Sequence, residues 1–214
     1  MDKILYPSQI KYLEKLRRDP SKIIKEMEEF AAEKKVPILD WNSAELLEQM
    51  ILIQRPKAVL EIGTAIAYSA IRIASKLRKK GIVDTIEKSE DNIELAREFI
   101  EKAGLEEKIN LIFGDALEVL PKLNKKYDFI FLDADKEDYE KLFYFSLMLL
   151  KKGGMIFIDN LLWHSYAAKQ NVPANYKEST KHIREFNKLF STQYALETTI
   201  VPVGDGIGLG VKIK

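Results

Sequence analysis

The chain has 214 residues, with Lys+Arg of 34 against Asp+Glu of 33, a formal charge of +1, and no cysteine. That balance demands no polyanionic partner, and the lack of cysteine excludes disulfides, thiolate catalysis and thiolate zinc sites, so any chemistry must use oxygen and nitrogen. With 46% hydrophobic and 31% charged residues, and no apolar run near the ~18 residues of a membrane span, the expectation is one cytoplasmic domain over 1–214, with a helical cap at 1–55 and a core at 57–214.

The cap reads as helices. Ile10, Leu13 and Leu16, then Ile23, Met27 and Phe30, recur at helical spacing, with Ser8 and Ser21 as N-cap candidates. Val36-Pro37 ends the second helix, and a third runs from about Ser43 to Gln54 before Arg55-Pro56. From Lys57 onward strands alternate with helices, the pattern of a parallel sheet with crossover connections. Ala58–Ile62, Ile82–Glu87, Ile109–Phe113, Phe129–Leu132 and Met155–Asp159 are nearly continuous apolar runs, as strands covered on both faces require. A helix is expected over Lys136–Leu150 and another over Ser179–Phe190. The last segments, Tyr194–Val203 and Gly206–Lys212, predict an antiparallel hairpin around Gly204-Asp205.

Open α/β sheets bind ligands beyond the carboxyl ends of their strands. The first strand ends in Glu61-Ile62-Gly63, within EIGTAIAYSA, where Gly63 lets the backbone turn sharply and approach a ligand. The second ends in Glu87, a carboxylate placed to accept both hydroxyls of a ribose. A dinucleotide would normally require G-x-G-x-x-G, but Ala65 and Ala67 hold the second and third small positions, which favours a phosphate-free nucleoside such as S-adenosylmethionine. Asp115, in Gly114-Asp115-Ala116, either caps the next helix or accepts from an adenine amino group.

The fourth and fifth strands lead to Asp133 and to Asp159-Asn160. Two carboxylates and an amide oxygen make a hard, all-oxygen set suited to Mg²⁺, with Mn²⁺ or Ca²⁺ as alternatives, and leave positions open for water and substrate. Lys136, three residues after Asp133, is a candidate general base whose pKa a neighbouring dication would depress. Asp135 and Asp138 are explained as helix-start acids.

EIGTAIAYSA, the Glu87 strand end, GDA, D-x-D-K, IDN and VPVGDG together resemble the cation-dependent O-methyltransferases of the catechol and caffeoyl-CoA type, over nearly the whole chain. Within that group, VPI, AIAYSAIRIA and IVPVGDGIGLG are most similar to the bacterial tRNA 5-hydroxyuridine O-methyltransferases, which form 5-methoxyuridine at the wobble position. The resemblance implies a Rossmann-like class I methyltransferase fold: a mostly parallel seven-stranded sheet, a C-terminal antiparallel hairpin and N-terminal helices. It implies cofactor contacts at Leu39, Gly63, Ser69, Glu87, Asp115, Ala116 and Asp133, with Glu61 and Tyr68 of the same string as further candidates. It also implies metal ligation by Asp133, Asp159 and Asn160, catalysis by Lys136, and a homodimer built with the N-terminal helices. Ala67 stands where the family usually has a glycine, and Leu39 where a Met is common.

Three activities follow: methylation of hydroxyuridine in a tRNA anticodon loop, methylation of a small catechol or caffeoyl-type hydroxyl, or noncatalytic cofactor binding. Catechols and 5-hydroxyuridine both offer two neighbouring oxygens, so the choice falls to the periphery. Trp163, His164, Tyr166 and Tyr176 either stack an extruded base or anchor their own loop. Lys15, Arg17 and Arg18, then Arg78, Lys79 and Lys80, then Lys177, Lys181 and Arg184 either meet phosphates or form solvated faces. His182 is expected at the surface or in the core.

Overall fold

A computed structural model describes residues 6–214; residues 1–5 of the expected cap lie outside the described residues. The helices are α1 (Pro7–Leu16), α2 (Lys22–Lys34), α3 (Trp41–Gln54), α4 (Tyr68–Lys76), α5 (Glu90–Ala103), α6 (Ala116–Val119), α7 (Tyr139–Leu149) and α8 (Lys177–Ser191). The strands are β1 (Ala58–Ile62), β2 (Ile82–Glu87), β3 (Ile109–Phe113), β4 (Tyr127–Leu132), β5 (Leu150–Ile158), β6 (Leu196–Val201) and β7 (Ile207–Lys212). One seven-stranded sheet runs β3-β2-β1-β4-β5-β7-β6. Its first five strands are parallel, and β7 is antiparallel to both β5 and β6. The expected sheet and hairpin are therefore present. The order reverses at β1, where β2 and β4 flank it on opposite sides, and ligands bind at such a crevice.

Successive strand residues serve opposite layers. Phe129 and Phe131 of β4 join Met27, Leu47, Ile71 and Phe99 under α2–α5. Ile130 and Leu132 join Tyr139, Phe143, Ile183 and Phe190 under α7 and α8. Both faces are covered, which explains the uninterrupted apolar runs in the sequence. Among the described residues no helix is long and apolar enough to cross a membrane.

Local expectations shift at several ends. α1 begins at Pro7, one residue before Ser8, because the fixed φ of proline suits the first helical position. Ser21 holds the N-cap position of α2, but its hydroxyl makes no capping bond. The helix expected from Lys136 opens as a 3-10 turn over Lys136–Asp138 and ends before Leu150, which already belongs to β5. Neither Asp135 nor Asp138 caps through its side chain, and Asp135 instead pairs with Lys88. α1 also buries none of its residues, and Leu13 and Leu16 remain exposed.

The cap is tied to the core through buried polar contacts. Arg72 of α4 donates to Glu48 of α3 (2.6 Å) and to the Tyr68 hydroxyl (2.7 Å), which in turn donates to Glu28 of α2 (2.6 Å). Glu28 also receives a two-pronged ion pair from Arg17.

Candidate active site

A cavity of about 560 Å³ lies beyond the carboxyl ends of β1, β2, β4 and β5, a size typical of small-molecule sites. Gly63, Glu87, Asp115, Ala116, Asp133, Lys136, Asp159 and Asn160 all line it. The other four candidates do not reach its wall. Tyr68 turns its hydroxyl to Glu28 and Arg72. Leu39 packs into the core, while the adjacent Pro37 and Ile38 face the cavity. Glu61 and Ser69 are buried beneath the β1 turn.

That turn is held by Glu87. Its Oε2 accepts from the Ala65 amide and its Oε1 from the Ser89 amide, each at 2.8 Å. One lone pair per oxygen is thereby used and the carboxylate orientation is fixed, with further acceptor capacity facing the cavity. Ala65 and Ala67 both adopt left-handed backbone, with φ of 47° and 67°. At Ala67 the glycine-like conformation is kept without the glycine, which costs roughly 1–2 kcal/mol for an L-residue. Asp115 caps α6 by accepting from the Leu117 amide at 2.8 Å while still lining the cavity, so the capping role is present.

Burial pushes the Glu61 carboxyl up to about 7, with the Asp133 and Glu87 charges adding to the rise and the Ser69 and Thr85 hydroxyls opposing it. Thr85 donates to Oε2, and Oε1 has no partner. The folded chain holds this proton below about 7, whereas the unfolded chain releases it near 4.5. The folded state binds more protons between those values, so stability is highest below the lower one and falls as pH rises through the window. Chemical denaturation should therefore show Glu61→Gln gaining on the wild type from pH 5 to pH 8, by on the order of 3 kcal/mol. A difference independent of pH would disprove the buried proton.

On the β4–β5 side, Lys136 Nζ donates to Asp133 Oδ1 (3.1 Å), the Ala134 carbonyl (3.0 Å) and the Tyr139 hydroxyl (2.6 Å). Tyr139 passes its own proton to the Asp159 carbonyl at 3.0 Å. All three ammonium hydrogens of Lys136 are thus engaged. Asp159 is 5% exposed and its Oδ1 has no partner. Burial, then the Asp133 charge, raises its pKa well above the carboxylate range, against the pull of Lys136. Asp205, from the β6–β7 loop, is raised too, by burial first. Its Oδ1 accepts from the His164 amide at 2.7 Å, and its Oδ2 is buried 3.9 Å from His164 Nδ1, without a hydrogen bond.

Among the described residues no three His, Asp or Glu side chains gather as a metal cluster; the set here is two carboxylates and one amide. A cation nevertheless fits these residues, because an unpartnered buried carboxylate oxygen beside a second carboxylate is the arrangement a positive charge relieves.

Tyr139 and Asp205 escaped the reading of the sequence. Tyr139 follows Lys136 by one helical turn, a local signal; Asp205 lies in VPVGDG, and nothing local marks its approach to residues 160–164. Only Trp163 and His164 of the four loop aromatics line the cavity. Tyr166 and Tyr176 pack on each other with ring centroids 5.0 Å apart, so the loop does anchor itself. Of the basic groups, Arg17 is held by Glu28, and Arg184 by three backbone carbonyls. His182 lies away from the cavity beside Glu178.

A family model for O-methyltransferases matches residues 14–213. The chain is 32% identical over 212 residues to the caffeoyl-CoA O-methyltransferase of Populus kitakamiensis, covering 95% of this chain and 87% of that one. It is 34% identical over 210 residues to caffeoyl-CoA O-methyltransferase 3 of Nicotiana tabacum, covering 92% and 86%. Among solved structures, a candidate caffeoyl-CoA O-methyltransferase from Staphylococcus aureus superposes with a TM-score of 0.88 at 32% identity, over 94% of this chain and 98% of that one. An O-methyltransferase from Bacillus cereus in complex with SAH gives 0.83 at 27% identity, over 94% and 96%. The chain belongs to the O-methyltransferase family, and it is an S-adenosylmethionine-dependent O-methyltransferase.

Proposed function

We propose that this enzyme methylates one hydroxyl of a small phenolic acceptor with neighbouring oxygens, of the caffeoyl-CoA type, with a divalent cation held by Asp133, Asp159 and Asn160. The observation that carries the cation is the buried, unpartnered Oδ1 of Asp159 beside Asp133; the substrate class rests on the relatives. The wobble-uridine reading has less support. None of the relatives reported above is named for RNA, and Arg17 and Arg184, which it would use on phosphates, are engaged inside the protein.

Gly63, Glu87, Asp115 and Ala116 form the nucleoside end of the cavity, with Glu87 set to accept from ribose hydroxyls and Asp115 from the adenine amino group. When bound, S-adenosylmethionine supplies an electrophilic methyl, and a divalent cation supplies a Lewis acid that favours the ionised hydroxyl. Lys136 brings a positive charge to the acceptor side, oriented by Asp133, Ala134 and Tyr139. Since its donors are all engaged, its first role is to stabilise the ionised hydroxyl oxygen. Accepting the hydroxyl's proton at Nζ would require Lys136 to lose one proton to solvent beforehand and to turn the resulting lone pair to the acceptor and not to Tyr139. Trp163 and His164 cover the acceptor side and exclude water.

Incubation with methyl-labelled cofactor and Mg²⁺ tests this directly. A caffeoyl thioester or a catechol should be labelled, and hydroxyuridine-containing tRNA should not; the reverse pattern would overturn the choice of acceptor. The homodimer implied by resemblance is retained as a proposal, supported by the exposed Tyr12, Leu13 and Leu16 on α1. Light scattering should then give twice the 24.7 kDa chain mass, and a monomer mass would dismiss it.

A further inference from the structure

The segment that walls the acceptor side of the cavity has an unfavourable backbone. Asn160, Trp163, His164 and Ser165 have φ of 63°, 46°, 53° and 66°. Asparagine tolerates this region, but three consecutive left-handed residues of other types do not hold it unaided, at roughly 1–2 kcal/mol each. The segment must be clamped from outside.

One clamp comes from the β6–β7 loop. The Leu161 amide donates to the Gly206 carbonyl (2.9 Å), the Leu162 amide to the Asp205 carbonyl (2.8 Å) and the His164 amide to Asp205 Oδ1 (2.7 Å). The other comes from α8. Asn187 donates to the Leu161 carbonyl (2.7 Å) and Ser179 accepts from the Trp163 indole (3.0 Å). Arg184 makes the widest contact: Nε donates to the Ala167 carbonyl (3.0 Å), and one terminal nitrogen donates to the carbonyls of Tyr166 (3.0 Å) and Lys169. Bonds from an ionised donor are the stronger kind, and a planar guanidinium can reach several carbonyls where an ammonium acts from one point. α8 itself is seated by Ile183, Phe186 and Phe190 in the core, so its packing does not depend on Arg184.

We propose that Arg184 is the positioning residue of the acceptor wall: its guanidinium holds the 166–169 stretch that follows the left-handed residues, so that Trp163 and His164 stay over the cavity, and thereby sets acceptor affinity without touching the cofactor. The kinetic consequence rests on the phenolic-acceptor reading given above. The positional consequence does not.

The test uses the full chain carrying Trp41→Phe, which leaves Trp163 as the one tryptophan of the two in the sequence. In that background Arg184→Ala should raise acrylamide quenching of Trp163 about twofold and the acceptor KM about tenfold, with kcat and the SAH dissociation constant changed by less than about threefold. Arg184→Lys should recover less than half of the loss, and millimolar methylguanidinium should restore Arg184→Ala. Lys181→Ala, exposed on the same helix, is the control. Unchanged quenching and KM, a loss of SAH affinity that parallels the KM, or full rescue by lysine would each overturn the proposal. Should the wild type methylate no phenol, the acceptor reading falls, while quenching and methylguanidinium rescue still decide the role of Arg184.

Discussion

Asp159→Asn should lower methyl transfer by about a thousandfold or more while leaving the protein, in excess chelator, at least as stable as the wild type. Asp159 is 5% exposed, its Oδ1 has no partner, and Asp133 faces it with a like charge. A carboxylate so placed works against the fold until something positive joins it, so a neutral side chain of the same shape removes a penalty along with a function. Each kcal/mol recovered raises the melting temperature of a chain this size by about 2–4 °C. The wild type should in turn be stabilised by Mg²⁺, because a ligand that binds only the folded state shifts unfolding by mass action, and the variant should lose most of that gain. Melting curves with EDTA and with Mg²⁺, run beside a labelled-methyl assay, separate the possibilities. A variant that melts well below the wild type in EDTA, together with a wild type indifferent to Mg²⁺, would remove the cation from the site.

The strand ends were legible because of how parallel sheets are buried. β1, β2, β4 and the last residues of β5 are covered on both faces, so they read as largely apolar runs, and Glu87, Asp133 and Asp159 stand at the carboxyl ends of β2, β4 and β5. What converges across the sheet follows from its topology, and eight of the candidate residues meet in one cavity. Contacts between residues far apart in sequence leave no such trace. Tyr68 sits in the same helical string as the cofactor turn, yet its hydroxyl is claimed by Glu28, forty residues earlier. Asp205 and Arg184 act on the 160–169 segment from the hairpin loop and from α8, and in the sequence the arginine is indistinguishable from its solvated lysine neighbours. The apolar spacing of α1 was real as well, but periodicity shows which face is apolar and not whether this chain supplies its partner.

Gly63→Ala should abolish cofactor binding and destabilise the fold by about 3 kcal/mol or more. Gly63 has φ of +95°, outside the range an alanine adopts without strain. A Cβ added there would lie 1.8 Å from the Asp133 carbonyl oxygen and 2.9 Å from its carbonyl carbon. The obstacle is backbone, not a flexible side chain, and that backbone is fixed: the Asp133 amide donates to the Ile62 carbonyl at 3.0 Å, and the Gly63 amide to the Ile86 carbonyl at 3.1 Å. Relief requires the ends of β1 and β4 to separate, which displaces the turn that Glu87 holds on one side and Asp133 with Lys136 on the other. Both halves of the cavity then move together. Gly104→Ala supplies the comparison, since Gly104 is also left-handed (φ +63°) but a Cβ there meets nothing within 4 Å. That change should cost only about 1 kcal/mol, the conformational preference alone, with SAH affinity intact. Calorimetric titration with SAH and urea denaturation of the two variants distinguish close approach from conformational strain. Equal stability losses would mean that β1 and β4 tolerate separation, and retained SAH binding by Gly63→Ala would mean that the cofactor does not depend on their junction.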